Sequence, residues 1–240
     1  MPGGYYVALS GMRTRLDQLD RLSADIANAG TAGYKTERSS NAEADRPQFG
    51  AMLQTAIDVT TGERRLNTTA GAMAPTGRSL DAAIDGNGFF VVQNAAGATR
   101  YTRNGHFMAN TDGVLTTEEG AVVQGDSGPI TVGTGQVSIS EDGTVRTGAK
   151  VAGKLQVVTF DNPGLLVREG ASLLRADNLP SSPATKVTIR SGALEQSNVS
   201  VVERIAELTD VSRTFEALQK SLTLQMNDLD GRAIDILGRR

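Results

Sequence analysis

The two ends of the chain carry apolar residues at helical spacing. Near the N-terminus these residues recur every three or four positions, a period close to 3.5 that is typical of helices pairing along one seam. The spacing predicts a helix over residues 5–29, and Asn28-Ala29-Gly30 can end it because Asn and Gly tolerate the left-handed capping conformation. The predicted seam of this helix consists of Leu9, Met12, Leu16, Leu19 and Ile26.

A longer stretch with the same spacing occupies the C-terminus. Ser200-Val201-Val202-Glu203 has the sequence of a capping box and predicts a helix start, because Ser and Glu side chains can bind the first free backbone N–H groups. Gly231 is expected to weaken this helix and Gly238 to end it. Its predicted seam consists of Val202, Ile205, Leu208, Phe215, Leu218, Leu222 and Leu229.

The middle of the chain, residues 80–190, has the pattern of antiparallel β-structure. Short apolar or alternating runs are separated by turn sequences at the spacing typical of consecutive short strands. Asn104-Gly105 lies between two such runs and predicts a hairpin, and Asp112-Gly113 and Asp142-Gly143 predict further tight turns. The polar segment 36–79 shows neither period and is predicted to be a connector, with a short helix around 51–59.

These patterns together predict an α+β fold. We divide the chain into an N-terminal helix and turn at 1–35, a connector at 36–79, a β-rich domain at 80–190 and a C-terminal helical region at 191–240. The terminal helices are expected to pair as a coiled coil. The alternative is one α+β domain that packs both helices on its own sheet. Further apolar residues lie off the C-terminal seam and need another partner, such as a neighbouring subunit: Val201, Leu224, Ile234 and Leu237.

Composition favours a structural or binding role over catalysis. The 240 residues include no Cys and one His, so Cys-based zinc sites and disulfides are excluded, and we expect no metal or cofactor. The formal charge of −3 provides no basic surplus for nucleic acid or anionic lipid. A Ser-His-Asp triad could run only through His106, which is expected to be a surface strand residue without triad partners. No apolar run predicts a membrane-spanning helix, and the N-terminus lacks the pattern of a cleaved secretory signal.

Several segments resemble the axial proteins of the bacterial flagellar rod and hook. Residues 6–12 and 27–35 resemble the N-terminal helix of that family and its ANxxTxGYK signature, and 192–199 resembles its GxLExSNV signature. Residues 80–92, 101–105 and 128–132 resemble rod-protein segments. The residues that carry the N-terminal signature, here called the joint motif, are Ala27, Asn28, Gly30, Thr31, Gly33 and Tyr34. The C-terminal signature consists of Gly192, Leu194, Glu195, Ser197, Asn198 and Val199.

The resemblance implies an inner coiled-coil domain made by the terminal helices and an outer β domain that packs against neighbouring subunits. In the joint motif, Gly30 and Gly33 are expected to let the chain turn sharply and Thr31 to bind local backbone. The motif would then set the angle between the helices and the β domain; the alternative is an ordinary helix end. Arg204 departs from the family, whose members usually carry an acidic or apolar residue there.

The resemblance also implies a function. The short length indicates a rod protein, most similar to the proximal-rod members, with the distal-rod members as the alternative. Such a subunit would assemble helically with itself and other rod proteins in the periplasm-spanning basal body and transmit torque. It would be exported by the flagellar type III apparatus without a cleaved signal. A secreted β-domain binding module and an enzyme acting through His106 are the competing hypotheses.

Overall fold

A computed structural model describes residues 2–39, 64–133 and 135–237. The chain divides into two compact units. The helical unit contains Met1–Ala27, Ser39–Glu63 and Ser200–Arg240, and the β unit contains Asn28–Arg38 and Arg64–Val199. The α+β prediction is confirmed. The helix predicted around 51–59 lies outside the described residues.

The helical unit contains the two predicted terminal helices, which contact each other. Helix α1 spans Pro2–Ala27 and helix α2 spans Val201–Leu237. Ser200 stands directly before α2, and its carbonyl accepts the Arg204 N–H at 3.0 Å to close the first turn. Gly231 does not interrupt α2, which continues to Leu237. Neither helix has, in its described residues, the length and hydropathy needed to cross a membrane.

The β unit consists of short strands with one turn of 3₁₀ helix at Pro163–Leu165. Most strands have three to five residues. The described strands are β1 (Glu37–Ser39), β2 (Arg64–Leu66), β3 (Met73–Pro75), β4 (Ala82–Asp85), β5 (Phe89–Gln93), β6 (Thr99–Thr102), β7 (Phe107–Ala109), β8 (Leu115–Thr117), β9 (Val122–Gly125), β10 (Gly128–Pro129), β11 (Val137–Ile139), β12 (Thr144–Thr147), β13 (Lys150–Lys154), β14 (Val157–Phe160), β15 (Val167–Glu169), β16 (Leu173–Arg175), β17 (Ser181–Pro183), β18 (Thr188–Ser191) and β19 (Ala193–Glu195).

The largest sheet has the order β15-β16-β6-β5-β9-β8-β7, and β10, β14 and β17 pair beside it. Strand β5 lies at its centre and is apolar at four successive positions because both of its faces are buried. Phe90 and Val92 join one core cluster, whereas Phe89 and Val91 join a second cluster on the opposite face. The registers recorded for this sheet are antiparallel, as the turn spacing predicts.

The predicted hairpin at Asn104-Gly105 is wrong. Strand β6 pairs with β5 and β16, and β7 pairs with β8, so the strands on either side of the turn are not partners. Gly105 instead passes directly against Ala82, whose N–H donates to the Gly105 carbonyl at 3.0 Å. A Cβ on Gly105 would lie 1.6 Å from the Ala82 oxygen, so the glycine is required by close backbone approach rather than by a hairpin. The turns at Gly113 and Gly143 are confirmed, each with positive φ.

The prediction that 36–79 is only a connector is wrong for its described parts, which contain β1, β2 and β3. Strand β3 pairs with β19, so its partner lies more than a hundred residues away and no local periodicity could reveal the pairing. The unit boundaries also differ from the predicted domain boundaries, because 28–35 and 191–199 belong to the β unit. Both signatures therefore contribute to the β unit.

Candidate functional site

The N-terminal and C-terminal signatures run side by side in the β unit. The Gly33 N–H donates to the Glu195 carbonyl at 2.7 Å, and the Asn198 N–H donates to the Tyr34 carbonyl at 3.3 Å. We call the region formed by residues 33–36, 67–71, 103 and 194–198 the signature junction. It joins segments that are 160 residues apart in the chain.

The carboxylate of Glu195 lies at the centre of the signature junction and is fully buried. One of its oxygens accepts hydrogen bonds from the Lys35 ammonium and from the Gly71 N–H, the latter at 3.0 Å. The other oxygen pairs with Nη1 of Arg103 at 3.2 Å. The junction thus buries one anion against two cations.

Burial dominates the electrostatics of both cations. It lowers the pKa of Lys35 below its usual value, although the adjacent Glu195 carboxylate acts in the opposite direction. Burial also lowers the pKa of Arg103, again against the effect of Glu195. Backbone carbonyls supply further acceptors, since Lys35 donates to Thr69 O at 2.8 Å and Arg103 Nη2 donates to Gly86 O at 2.8 Å. The Glu195 carboxylate is engaged on both oxygens, which suits a structural tie better than proton transfer.

Asn198 makes a second tie in the same region. Its side-chain oxygen accepts the Thr36 N–H at 2.8 Å, and its amide donates to Asn67 O at 2.9 Å and to Thr69 O at 3.2 Å. Only an Asn or Gln amide presents an acceptor and two donors on one rigid group. One side chain therefore links three chain segments just before α2 begins.

The remaining signature residues shape the backbone around these ties. Gly192 has φ +69° and its carbonyl accepts the Thr76 N–H at 2.7 Å. Leu194 is half-buried and pairs with Ala74 in β3. The Ser197 hydroxyl accepts the Val199 N–H at 3.3 Å, directly before the helix start.

The joint motif turns at one glycine rather than two. Gly33 has φ +70°, and a Cβ there would lie 2.2 Å from the Asn104 backbone nitrogen. Gly30 has no positive φ, and a Cβ there would meet nothing within 4 Å, so the structure does not require glycine at that position. Asn28 also lacks a positive φ, so the predicted left-handed cap at 28–30 is wrong.

The other joint-motif residues make local contacts. Helix α1 ends at Ala27, and the Thr31 hydroxyl donates to the Asn28 side chain at 3.1 Å rather than to the backbone. The Tyr34 ring is buried, with the Arg168 guanidinium 4.7 Å above its centroid.

Lys35 and Arg103 are functional candidates that our sequence reasoning left out of the site. Lys35 is the last residue of segment 27–35, and Arg103 is the middle residue of segment 101–105, and both segments resemble the family. Lys35, Arg103 and Glu195 are the charged residues of the three segments 27–35, 101–105 and 192–199. Their opposite charges were a signal that these segments could form ion pairs with one another. The signal was weak because charged residues are usually solvated.

Burial in the helical unit follows part of the predicted seam and adds Leu22 and Val211 to it. Leu22 of α1 and Val211 and Leu222 of α2 are buried. Half-buried positions continue the same side of the helices, namely Met12, Leu19, Ile26, Leu208, Phe215 and Leu218. The side-chain surroundings of Leu229 lie outside the described part of the chain.

Four predicted seam residues are exposed instead. Val202 is 80% exposed and Ile205 is 50% exposed, and Leu9 and Leu16 are exposed by 41% and 46%. The reason is geometric, since a helical residue advances by about 100° and two successive three-residue steps rotate a side chain by about 120° off the stripe. The steps from Val202 to Ile205 and on to Leu208 are of this kind.

Arg204 occupies the position that the buried stripe predicts, seven residues before Val211. Its Nε lies 3.3 Å from the carboxylate of Asp25 on α1, which is almost fully buried. The departure from the family pattern therefore coincides with an ion pair between the two helices.

Exposed apolar residues concentrate on the helical unit. Among the described residues, six of nine exposed large apolar side chains belong to its helices: Leu9, Leu16, Val201, Val202, Ile205 and Leu224. We call these six residues the apolar helix surface. Three of them, Val201, Val202 and Ile205, lie within the first two turns of α2, and neighbouring exposed apolar side chains are typical of surfaces that bind another protein.

His106 differs from its predicted place on the surface. It is half-buried and its Nδ1 lies 3.1 Å from the buried carboxylate of Asp81. Arg78 shares the cluster, with Nη1 2.8 Å from His106 Nε2. Among the described residues, no three His, Cys, Asp or Glu side chains are grouped so as to hold a metal ion.

Comparison with known proteins identifies the family. Residues 83–147 match a family model described as the flagellar hook protein FlgE/F/G D1 domain, and 190–236 match one described as the flagellar basal body rod FlgEFG protein C-terminal. The chain is 36% identical over 248 residues to the flagellar basal-body rod protein FlgF of Caulobacter vibrioides, covering 100% of this chain and 99% of that protein. The chain belongs to the flagellar basal-body rod proteins.

Other members of the rod family show the same relationship. FlgF of Salmonella typhimurium is 32% identical, with 99% of both chains covered. FlgG of Bacillus subtilis is 31% identical, with 91% of this chain and 93% of that protein covered. The family predicted from the two signatures is thus confirmed, and the chain is most like FlgF among these rod proteins.

Proposed function

We propose that this chain is a structural subunit of the flagellar basal-body rod and that it transmits torque by packing helically against other rod proteins. Membership of the rod family supports the basal-body location and the assembly with axial proteins. The apolar helix surface is the observation that carries the proposal, because it supplies the contact area that such packing needs.

The proposal includes the route and place of the subunit. It is exported by the flagellar type III apparatus without a cleaved signal and lies in the periplasm-spanning part of the rod, in the proximal segment. The proximal-rod members that the sequence resembles are of the FlgF type, and the distal-rod members are of the FlgG type. The 36% identity to a FlgF, against 31% to a FlgG, therefore favours the proximal segment. Its role is mechanical rather than catalytic.

The signature junction supports the mechanical part of the proposal. The joint motif follows α1 and the C-terminal signature precedes α2, so the two chain segments that enter and leave the β unit are bound to each other there. Force carried along either segment then acts on a point fixed by Glu195 and Asn198.

Ile205→Asp tests the proposal in a motile strain in which this chain is the only copy of this rod subunit. Ile205 is half-exposed, so the isolated subunit should fold, while a buried carboxylate in an assembled contact should block incorporation. Swimming and the amount of the subunit in isolated basal bodies are measured.

Ser221→Asp is the matched control. Ser221 is exposed on the same helix, about 160° around it from Ile205, and receives the same charge. We expect the control strain to swim and the Ile205→Asp strain to lack both motility and incorporated subunit. Normal incorporation of the Ile205→Asp subunit contradicts the proposal.

A further inference from the structure

The large sheet carries a groove whose polar lining has no role in the proposed assembly through the helices. Its volume is about 280 Å³, and it lies within the β unit where β9 and β14 both meet β5. This volume is just under the range of about 300–1,000 Å³ typical of small-molecule sites, so it suits a small ligand or one end of a longer one. The lining residues are Val91, Gln93, Thr99, Tyr101, Gln124, Gln156, Val158 and Ser181.

The strand registers place these side chains on one face of the sheet. Val91 is paired with Tyr101, and Gln93 is paired with Thr99, in the antiparallel ladder of β5 and β6. Gln93 is also paired with Val122, and Gln124 follows two residues later on the same face. The groove is therefore a property of the regular sheet rather than of a loop.

The lining is polar and contains no acidic or basic side chain. Three Gln amides and two hydroxyls surround two buried Val side chains and a half-buried Tyr ring. A phosphate or carboxylate would lack a cation here, and a metal ion or an amine would lack a carboxylate. The chemistry selects a neutral ligand that both donates and accepts hydrogen bonds.

Part of this hydrogen-bonding capacity is unused within the described residues. The Gln93 amide donates to Gly97 O at 2.7 Å, which orients its side-chain oxygen. The backbone of Gln156 is fixed, since its N–H donates to Gln124 O at 3.1 Å and its carbonyl accepts the Val91 N–H at 3.1 Å. The Gln156 side chain makes no hydrogen bond to any residue that the structure describes. An anchored residue with an unused amide is suited to bind adjacent hydroxyl groups.

Tyr101 supplies the apolar side of the groove. Its ring is held edge-on by Phe160, with centroids 4.8 Å apart and planes at 88°. A held aromatic ring with a polar tip binds well to a ligand that has one apolar and one polar face. The C–H face of a sugar ring and its hydroxyl rim have this character.

We propose that this groove binds a neutral carbohydrate, with Gln156 and Gln124 as hydrogen-bonding residues and Tyr101 as the contact for a sugar ring. An extended peptide is the other neutral ligand with donors and acceptors. It is disfavoured because strand addition needs a free edge, and β5 is already paired on both sides at this point.

The test titrates isotope-labelled full-length protein with N,N′,N″-triacetylchitotriose and with cellotriose, and follows backbone and side-chain amide signals by NMR. A groove of this size predicts a Kd on the order of 1 mM. Gln156→Ala removes only the side chain and leaves its backbone hydrogen bonds, so the fold should persist. We expect this variant to bind about 5-fold more weakly, as for the loss of one net hydrogen bond.

Gln136→Ala is the matched control, because Gln136 is exposed and outside the groove. It should bind the sugars like the unmodified protein. N-acetyl-trialanine amide serves as the peptide probe. Signal shifts at Gln124 and Gln156 with either sugar, weakened selectively by Gln156→Ala, support the proposal. Binding of neither sugar, equal weakening by the control, or binding of the peptide in place of the sugars overturns it.

Discussion

Replacing Glu195 with Gln removes the charge from the centre of the signature junction and keeps the shape of the side chain. Lys35 and Arg103 then remain buried without the anion that both of them contact. Breaking a buried ion pair by removing one partner costs about 3–5 kcal/mol. We therefore expect the free energy of unfolding of the β unit to fall by about 4 kcal/mol, and its Tm to fall by on the order of 10 °C.

The same substitution should change the pH dependence of stability in a defined direction. Burial holds the pKa of Lys35 below its unfolded value, so between the two pKa values the unfolded chain binds more protons and stability rises with pH. The Glu195 carboxylate opposes this effect, and its removal lowers the pKa of Lys35 further. The Glu195→Gln variant should therefore regain more stability than the unmodified protein as the pH is raised from neutral towards the ordinary pKa of lysine.

Urea denaturation followed by tyrosine fluorescence measures both effects, because Tyr34 is buried next to Lys35 in the β unit. Glu118→Gln is the control, since Glu118 is exposed and its substitution should change stability by less than about 0.5 kcal/mol. A Glu195→Gln variant as stable as this control at neutral pH would refute the reasoning. So would a stability that rises no more steeply with pH than that of the unmodified protein.

Three further substitutions test other parts of the structure by thermal and urea unfolding. Gly33→Ala should destabilise the β unit by about 3 kcal/mol or more, because Gly33 has a positive φ and lies against the Asn104 backbone. Gly30→Ala should be close to neutral, and equal effects of the two substitutions would contradict the assignment of the turn to Gly33. Arg204→Ala should lower the stability of the helix pair by about 1–3 kcal/mol because it removes the guanidinium that lies 3.3 Å from the buried Asp25 carboxylate, and the exposed Arg213→Ala should not. Phe107→Ala should cost about 3–5 kcal/mol through the cavity it leaves in the first core cluster, and a loss below about 1 kcal/mol would place this residue outside the core.

Long periodic segments were the part of the fold that the sequence predicted best. Both terminal helices form where the spacing of apolar residues placed them, and the Gly113 and Gly143 turns have the positive φ that their sequences favour. These features depend on neighbours within a few residues, which a single sequence displays directly.

Pairing between distant segments was the part that the sequence did not predict. Asn104-Gly105 has the composition of a hairpin turn, yet its glycine serves an approach to Ala82, which only the folded sheet brings near. Similarly, β3 is a strand because β19 lies beside it, not because of its own residues. For the candidate site, the signature sequences predicted Glu195 and Asn198. That Lys35 and Arg103 bind the Glu195 carboxylate could be known only from the folded structure, which brings the three segments together.

The sequence by itself determined the family, the α+β class and the two terminal helices, because signatures and periodicity are local properties of the chain. The tertiary structure decided which residues act together. In the helices it buries Leu22 and Val211 beside the predicted seam residue Leu222. It leaves the predicted seam residues Val202 and Ile205 exposed, since side-chain direction advances by about 100° per residue along a helix. It also placed Glu195 between two cations, because the energy of a buried charge depends on which distant groups surround it.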